Sequence, residues 1–157
     1  MLNRRDVLQA GAGTTVLGLA VAAGLIPQAA MAQAAAEWNK AAFESKSLAD
    51  AAKAYGGAAP AESKDVQLTG PDIAENGAVV PIGVKSSLPG TTMVAILVEK
   101  NPNIVAASFD IPEGTDADVS TRVKMGQSSN VYALVKAGGK FYYAGKEVKV
   151  TLGGCGG

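Results

Sequence analysis

From residue 64 onward the apolar residues of this chain recur at every second position, the spacing of a β-strand rather than a helix. The clearest case is TTMVAILVEK at 91–100, where Met93, Ala95 and Leu97 share one face and Val94, Ile96 and Val98 the other. Segments of the same kind are KDVQLTG (64–70), GAVVPIGVKSS (77–87), NIVAASFD (103–110), DVSTRVKM (118–125), SNVYALVKA (129–137), GGKFYYA and GKEVKVTLGG. Pro81 marks an edge or a bulge, because proline cannot donate to a ladder. Asn101-Pro102 signals a turn, and Ala137-Gly138-Gly139-Lys140 a hairpin. Seven or eight short strands at this spacing predict an all-β fold, an immunoglobulin-like antiparallel β-sandwich over residues 64–152.

Upstream the period is helical. Across residues 35–55, Trp38, Ala42, Ala49, Ala52 and Tyr55, with Phe43 and Leu48 nearby, form an apolar stripe. Gly56 and Gly57 follow it in the position where helices commonly end. One N-terminal helix packed by its stripe is therefore expected before the sandwich. No repeat and no second domain are visible.

Composition excludes more than it suggests. A chain of 157 residues suits one domain, and the 14 basic side chains are matched by 14 acidic ones. Such a balance gives no field for nucleic acid. There is no histidine and one cysteine. The chain thus lacks the ligands for a zinc, haem or iron–sulfur site, and it cannot build a Ser–His–Asp or Cys–His pair alone. No glycine-rich dinucleotide or phosphate loop is present. The expectation is a chain with no catalytic residue, no metal and no cofactor of its own. It would take part in chemistry whose catalytic groups come from elsewhere.

Residues 1–32 have the three parts of an export signal. Arg4 and Arg5 form the positive end, Val16 to Ile26 the apolar stretch, and Ala30-Met31-Ala32 a small-residue cleavage site. Cleavage is placed after Ala32, with Ala32-Gln33-Ala34 as the near alternative. Asn3-Arg4-Arg5-Asp6-Val7-Leu8 resembles the twin-arginine pattern, which exports proteins already folded. Residues 10–32 are uncharged and long enough to span a bilayer, but they are mostly Ala and Gly and are broken by Pro27. The expected mature protein is periplasmic, with no membrane attachment once the signal is removed.

An odd cysteine in an oxidising compartment points to a partner chain or to a reactive free thiol. Here it is Cys155, with Gly153 and Gly154 before it and Gly156 and Gly157 after it. Val148, Val150 and Leu152 share a face and would anchor the last strand in the sheet, leaving 153–157 as a flexible arm. Five residues reach at most about 17 Å when extended. Glycines on both sides would let the backbone enter a narrow channel in another protein. This pattern suits a covalent carrier, loaded in one active site and unloaded in another. A free thiol near pKa ~8.5 is only slightly ionised at neutral pH, so the partner would supply the activating field. The other readings are an assembly module whose Cys155 forms a disulfide-linked dimer, and a tail whose cysteine is incidental.

The ending Gly153-Gly154-Cys155-Gly156-Gly157 resembles that of the SoxY family of the bacterial Sox thiosulfate-oxidising system. The same family is resembled by PDIAENGAVVPIGVKSSLPG (71–90), NPNIVAASFD (101–110), STRVKMGQSSNVYALVKAGGKFYYA (120–144) and VKVTLGG (148–154). The leader agrees, although Asn3 stands where Ser or Thr is usual and Val7 where Phe is. The resemblance implies a heterodimer with SoxZ, which has no export signal of its own and would travel with the folded pair. It implies that Cys155 is the attachment point for sulfur intermediates. The haem proteins SoxXA would join thiosulfate to the thiol, and the metal-dependent hydrolase SoxB would release sulfate. The sulfane dehydrogenase SoxCD, in lineages that have it, would oxidise the remaining sulfur.

The leader reading has a direct check. N-terminal sequencing of the exported protein is expected to begin at Gln33, and replacing both Arg4 and Arg5 by Lys is expected to retain the uncleaved precursor.

Overall fold

The computed structural model describes residues 39–151. Its elements in chain order are α1 (Lys40–Phe43), α2 (Leu48–Ala54), β1 (Ala61–Glu62), β2 (Val66–Thr69), β3 (Ile73–Ala74) and β4 (Val80–Ser86). β5 (Thr91–Val98), β6 (Val105–Asp110), β7 (Asp118–Val123), β8 (Ser129–Ala137) and β9 (Lys140–Val150) follow. The larger sheet has the order β1-β9-β8-β5-β6, with β3 also paired to β9, and the smaller has the order β2-β4-β7. The two sheets enclose a core in which Val80, Ile82 and Val84 from β4 meet Val94, Ile96 and Val98 from β5. Val131 and Val135 from β8 and Val148 from β9 complete it. This is the expected all-β sandwich.

The alternation in β5 carries its predicted meaning on both faces. Val94, Ile96 and Val98 turn into the core between the sheets, whereas Met93, Ala95 and Leu97 belong to a second apolar cluster with Leu134, Phe141, Ala51 and Ala52. That second cluster is where the helices pack. Ala51 and Ala52 are both fully buried, and side chains this small let α2 lie close against the sheet. A strand apolar on both faces is stable only when both are covered, and here α2 supplies the second cover.

The helical region is two short helices rather than one through residue 55. The segment Glu44-Ser45-Lys46-Ser47 interrupts it. Serines compete with the backbone for hydrogen bonds, and both do so here. Ser45 Oγ donates to the Ala42 carbonyl. Ser47, with extended backbone, accepts from the Asp50 N–H at 3.1 Å and so caps a new helix. Asn39 caps α1 in the same way, accepting from the Ala42 N–H at 3.1 Å. Residues 35–38 lie outside the described residues, Trp38 among them. The glycine stop is where it was expected. Gly56 has φ +84, and the Gly57 N–H returns to the Ala52 carbonyl at 3.0 Å.

Two further expectations change. The two strands read in GGKFYYA and GKEVKVTLGG are one continuous strand, β9, over Lys140–Val150. Gly145 between them makes no turn; a Cβ there would lie 2.9 Å from the Tyr132 ring, so the glycine admits that ring against the strand. The sheets are also not wholly antiparallel, because the two-residue strands β1 and β3 both run parallel to β9. Pro81 sits in β4, the central strand of the smaller sheet. It is tolerated because β2 pairs only with Gly83–Ser86, leaving one flank of β4 without a partner strand at Pro81. The β8–β9 hairpin turns at Gly138 and Gly139 as read, with φ +55 and +76 and Ala137 paired to Lys140.

Gly57 locks the helix layer to the sheet, since a Cβ there would come 2.0 Å from Cε2 of the buried Phe141 ring. Gly57→Ala is expected to cost about 1–3 kcal/mol through overpacking. Gly126→Ala, which meets nothing within 4 Å, is expected to be nearly neutral. Thermal unfolding of the two variants checks the contrast.

Candidate functional site

The residues singled out in the sequence, Cys155 with Gly153, Gly154, Gly156 and Gly157, and the leader pair Arg4 and Arg5, lie outside the described residues. What the structure places is the base from which Cys155 is carried. That base is the end of β9. Val148 is fully buried and Val150 packs against the same core, so two of the three anchor residues do what the alternation required. The strand ends at Val150, and Leu152 lies outside the described residues.

The last turns of β9 are held from both sides. On one side β8 pairs with it from Ala137↔Lys140 to Ser129↔Val148. Beyond that ladder, Ser128 Oγ accepts from the Val150 N–H at 2.9 Å. On the other side β3 forms a clasp. The Lys149 N–H donates to the Asp72 carbonyl at 2.9 Å and the Thr151 N–H to the Ala74 carbonyl at 3.1 Å. Thr151 Oγ1 also donates to the Glu75 carbonyl at 3.0 Å. Each such bond is worth about 0.5–1.5 kcal/mol net. A two-residue strand has no stability alone, so β3 exists because β9 orders it.

A cation secures the start of the clasp. Lys146 Nζ donates to the Gly70 carbonyl at 2.6 Å and pairs with Asp72 Oδ1 at 2.9 Å. Asp72 is 89% exposed, so the ion pair itself contributes at most about 1 kcal/mol. The carbonyl bond, nearer the body, orients the lysine. Further along, Asn76 Oδ1 accepts from the Ala78 N–H at 2.8 Å and the Met125 N–H donates to the Gly77 carbonyl at 2.7 Å. The whole segment from Gly70 to Ala78 is thus tied to the body of the sandwich, and Thr151 is fixed against it.

Covalent geometry then limits where the thiol can be. Cys155 is four residues beyond Thr151, so its Cα lies within about 14 Å of the clasp in any conformation. Any protein that reached Cys155 would therefore meet the surface near the clasp.

A concavity lies on the outer face of the larger sheet, beside the start of α2. It is a half-open groove of about 470 Å³, with Leu48, Leu97, Ile104, Tyr132 and Tyr143 on its walls and Glu99 at its side. The Tyr132 and Tyr143 rings meet edge to face at 6.2 Å. Burial, with the nearby Glu99 carboxylate adding to it, raises the Tyr132 phenol above its ordinary range. Burial also raises Tyr55, beside Ser108 and Asp110. Both phenols stay protonated at neutral pH, so neither offers a phenolate for catalysis. Among the described residues no group of three or more acidic, cysteine or histidine side chains could hold a metal ion.

The clasp is the part of the site that the sequence did not reveal. Two residues are too few to show a period of two, and a parallel pairing between residues 73–74 and 149–150 carries no local signal. Asp72, Asn76 and Gly77 read only as turn formers.

The comparisons with known proteins cover this region. The family model described as "Sulfur oxidation protein SoxY" matches residues 51–155, from α2 through the clasp to Cys155. Among solved structures, the sulfur carrier protein SoxY from Chlorobium limicola f thiosulfatophilum is 43% identical, with a TM-score of 0.61. The match covers 67% of this chain and 96% of that one. A chain from a structure of T cell specificity and activation by the bacterial superantigen toxic shock syndrome toxin-1 also matches, at 13% identity and a TM-score of 0.39, over 54% of this chain and 98% of that one. That likeness is too slight to bear on fold or function. No curated protein matches. With a family model spanning residues 51–155 and a solved relative at 43% identity, this chain belongs to the SoxY family of sulfur oxidation proteins.

Proposed function

We propose that this protein is a covalent carrier of sulfur intermediates in periplasmic thiosulfate oxidation, with Cys155 as the attachment point and no catalysis of its own. The observation that carries the reading is the extent of the family match. It ends on Cys155, and the solved relative, named a sulfur carrier protein, shares the fold that sets the base of that segment. The absence of histidine from the whole sequence agrees, since the commonest general base is missing.

In this reading the thiolate of Cys155 and thiosulfate form an S–S bond, giving a cysteine S-thiosulfonate. Two electrons leave for the haem partner, SoxXA. Water then attacks the terminal sulfone at SoxB, releasing sulfate and a proton and leaving a persulfide on the cysteine. SoxCD, where present, oxidises that remaining sulfur. SoxZ is the stable partner, and the pair is exported folded by the twin-arginine route through Arg4 and Arg5. Gly153, Gly154, Gly156 and Gly157 serve as a swinging arm of small cross-section, so that Cys155 can enter each partner's site in turn.

Intact mass measurement on protein taken from cells consuming thiosulfate is expected to show sulfur-containing adducts that map to Cys155, and Cys155→Ser is expected to abolish both adducts and thiosulfate oxidation. Unmodified thiol and disulfide dimer alone during turnover would favour the assembly-module reading instead. Arm width has its own test. Gly154→Val and Gly156→Val lie beyond β9, so they are expected to leave the unfolding temperature unchanged while lowering thiosulfate oxidation at least tenfold. Wild-type rates in both variants would remove the channel-entry argument.

A further inference from the structure

Ile73 and Val79 are the two exposed large apolar side chains among the described residues, at 59% and 54%. Scattered exposed apolar residues are ordinary, but these two share one short stretch of chain. Both lie on the segment between Pro71 and β4 that forms the clasp on Thr151. Ile73 is in β3 itself, opposite Lys149. Among the described residues β3 pairs with β9 along one side and with no strand on its other side. Open edges in monomeric proteins usually carry charge or proline to discourage pairing. This one carries isoleucine, with Asp72, Glu75, Asn76 and Lys149 exposed around it. An apolar centre in a polar surround is the arrangement of a binding patch rather than of an idle surface.

Reach says what covers it. Cys155 stays within about 14 Å of Thr151. A protein of ordinary interface size covers about 800 Å² on its partner, a patch roughly 30 Å across. Any protein that encloses Cys155 must therefore set the rim of its pocket on the surface around Thr151, and Thr151 is bonded to Ala74 and Glu75. Resting on the carrier reading above, we infer that Ile73 and Val79 form the docking patch for the enzymes that receive Cys155, each presenting an apolar rim around its reactive pocket. The patch is shared by successive partners because the reach limit is the same for all of them. It raises the residence of each partner at the arm without touching the sulfur chemistry.

The test uses the exported mature chain, with any subunit that co-purifies, titrated into periplasmic extract from cells lacking the chain, with thiosulfate as substrate. The variant is Ile73→Thr with Val79→Thr, which keeps β-branching and strand preference. Its unfolding temperature and the rate at which Cys155 reacts with 5,5′-dithiobis(2-nitrobenzoate) should match wild type. The carrier concentration giving half-maximal thiosulfate consumption is expected to rise about tenfold, as for loss of a binding hot spot, with the plateau rate within about twofold. Either Ile73→Thr or Val79→Thr alone, should the double variant unfold, is expected to raise it by about threefold. An unchanged half-saturating concentration overturns the docking patch, as does a shift in self-association with unchanged half-saturation, which assigns the patch to a second copy. Full activity of Cys155→Ser in the same extract overturns the carrier reading and leaves the patch without its argued occupant.

Discussion

The eleven residues of β9 are bonded to β8 along one side and to β1 and β3 along the other, with Val148 sealed in the core near the end of the strand. A one-residue slip that put Lys149 in the place of Val148 would move Val148 to the exposed position of Glu147 and Phe141 to the exposed position of Lys140. The hydrophobic pattern therefore fixes the register, and the register fixes where the strand stops. Because β3 meets β9 only at its last two residues, the clasp forms only when that register is correct. The direction in which the chain leaves the sandwich is thus set by burial of side chains some way behind it.

The rest of the fold holds β9 rigid. Its long partner β8 is itself paired to β5, whose two faces are sealed by different layers. A sheet open to solvent on one side tolerates flexing more readily than one covered by α2 on one face and by a second sheet on the other. The alanines of α2 permit that cover at close range. A larger residue at Ala51 or Ala52 would lift the helix away from Leu97 and Phe141. For a carrier, a stiff body with a short attached segment confines the thiol to one region of space while leaving its local chemistry to whichever protein it meets.

Much of this was legible from side-chain spacing. The two-faced alternation in 91–100 told both where β5 lies and that its faces differ, and the Gly138-Gly139 pair located the final hairpin. Gly56 marked the helix end because only a residue free to take positive φ fits there. Other features were hidden for physical reasons. The break at Ser45–Ser47 depends on side-chain capping that outweighs helical periodicity. Gly145 looks like a turn signal but answers to the Tyr132 ring on the neighbouring strand, a contact that a linear reading cannot see. Of the candidate site, the sequence showed the thiol and its glycines but not the clasp, since parallel pairing of two short segments some 76 positions apart leaves no periodic trace.

On the carrier proposal the labour divides simply: the sandwich would supply position, the segment after Thr151 reach, and the partners reactivity. The central claim is that Cys155 holds cargo that turns over, so kinetic competence is its most direct measure. In cells given a pulse of ³⁵S-labelled thiosulfate and then chased with unlabelled substrate, label should enter the Cys155 peptide and leave it at least as fast as labelled sulfate accumulates. Label that never reaches that peptide, or that stays on it while sulfate continues to form, would contradict the account.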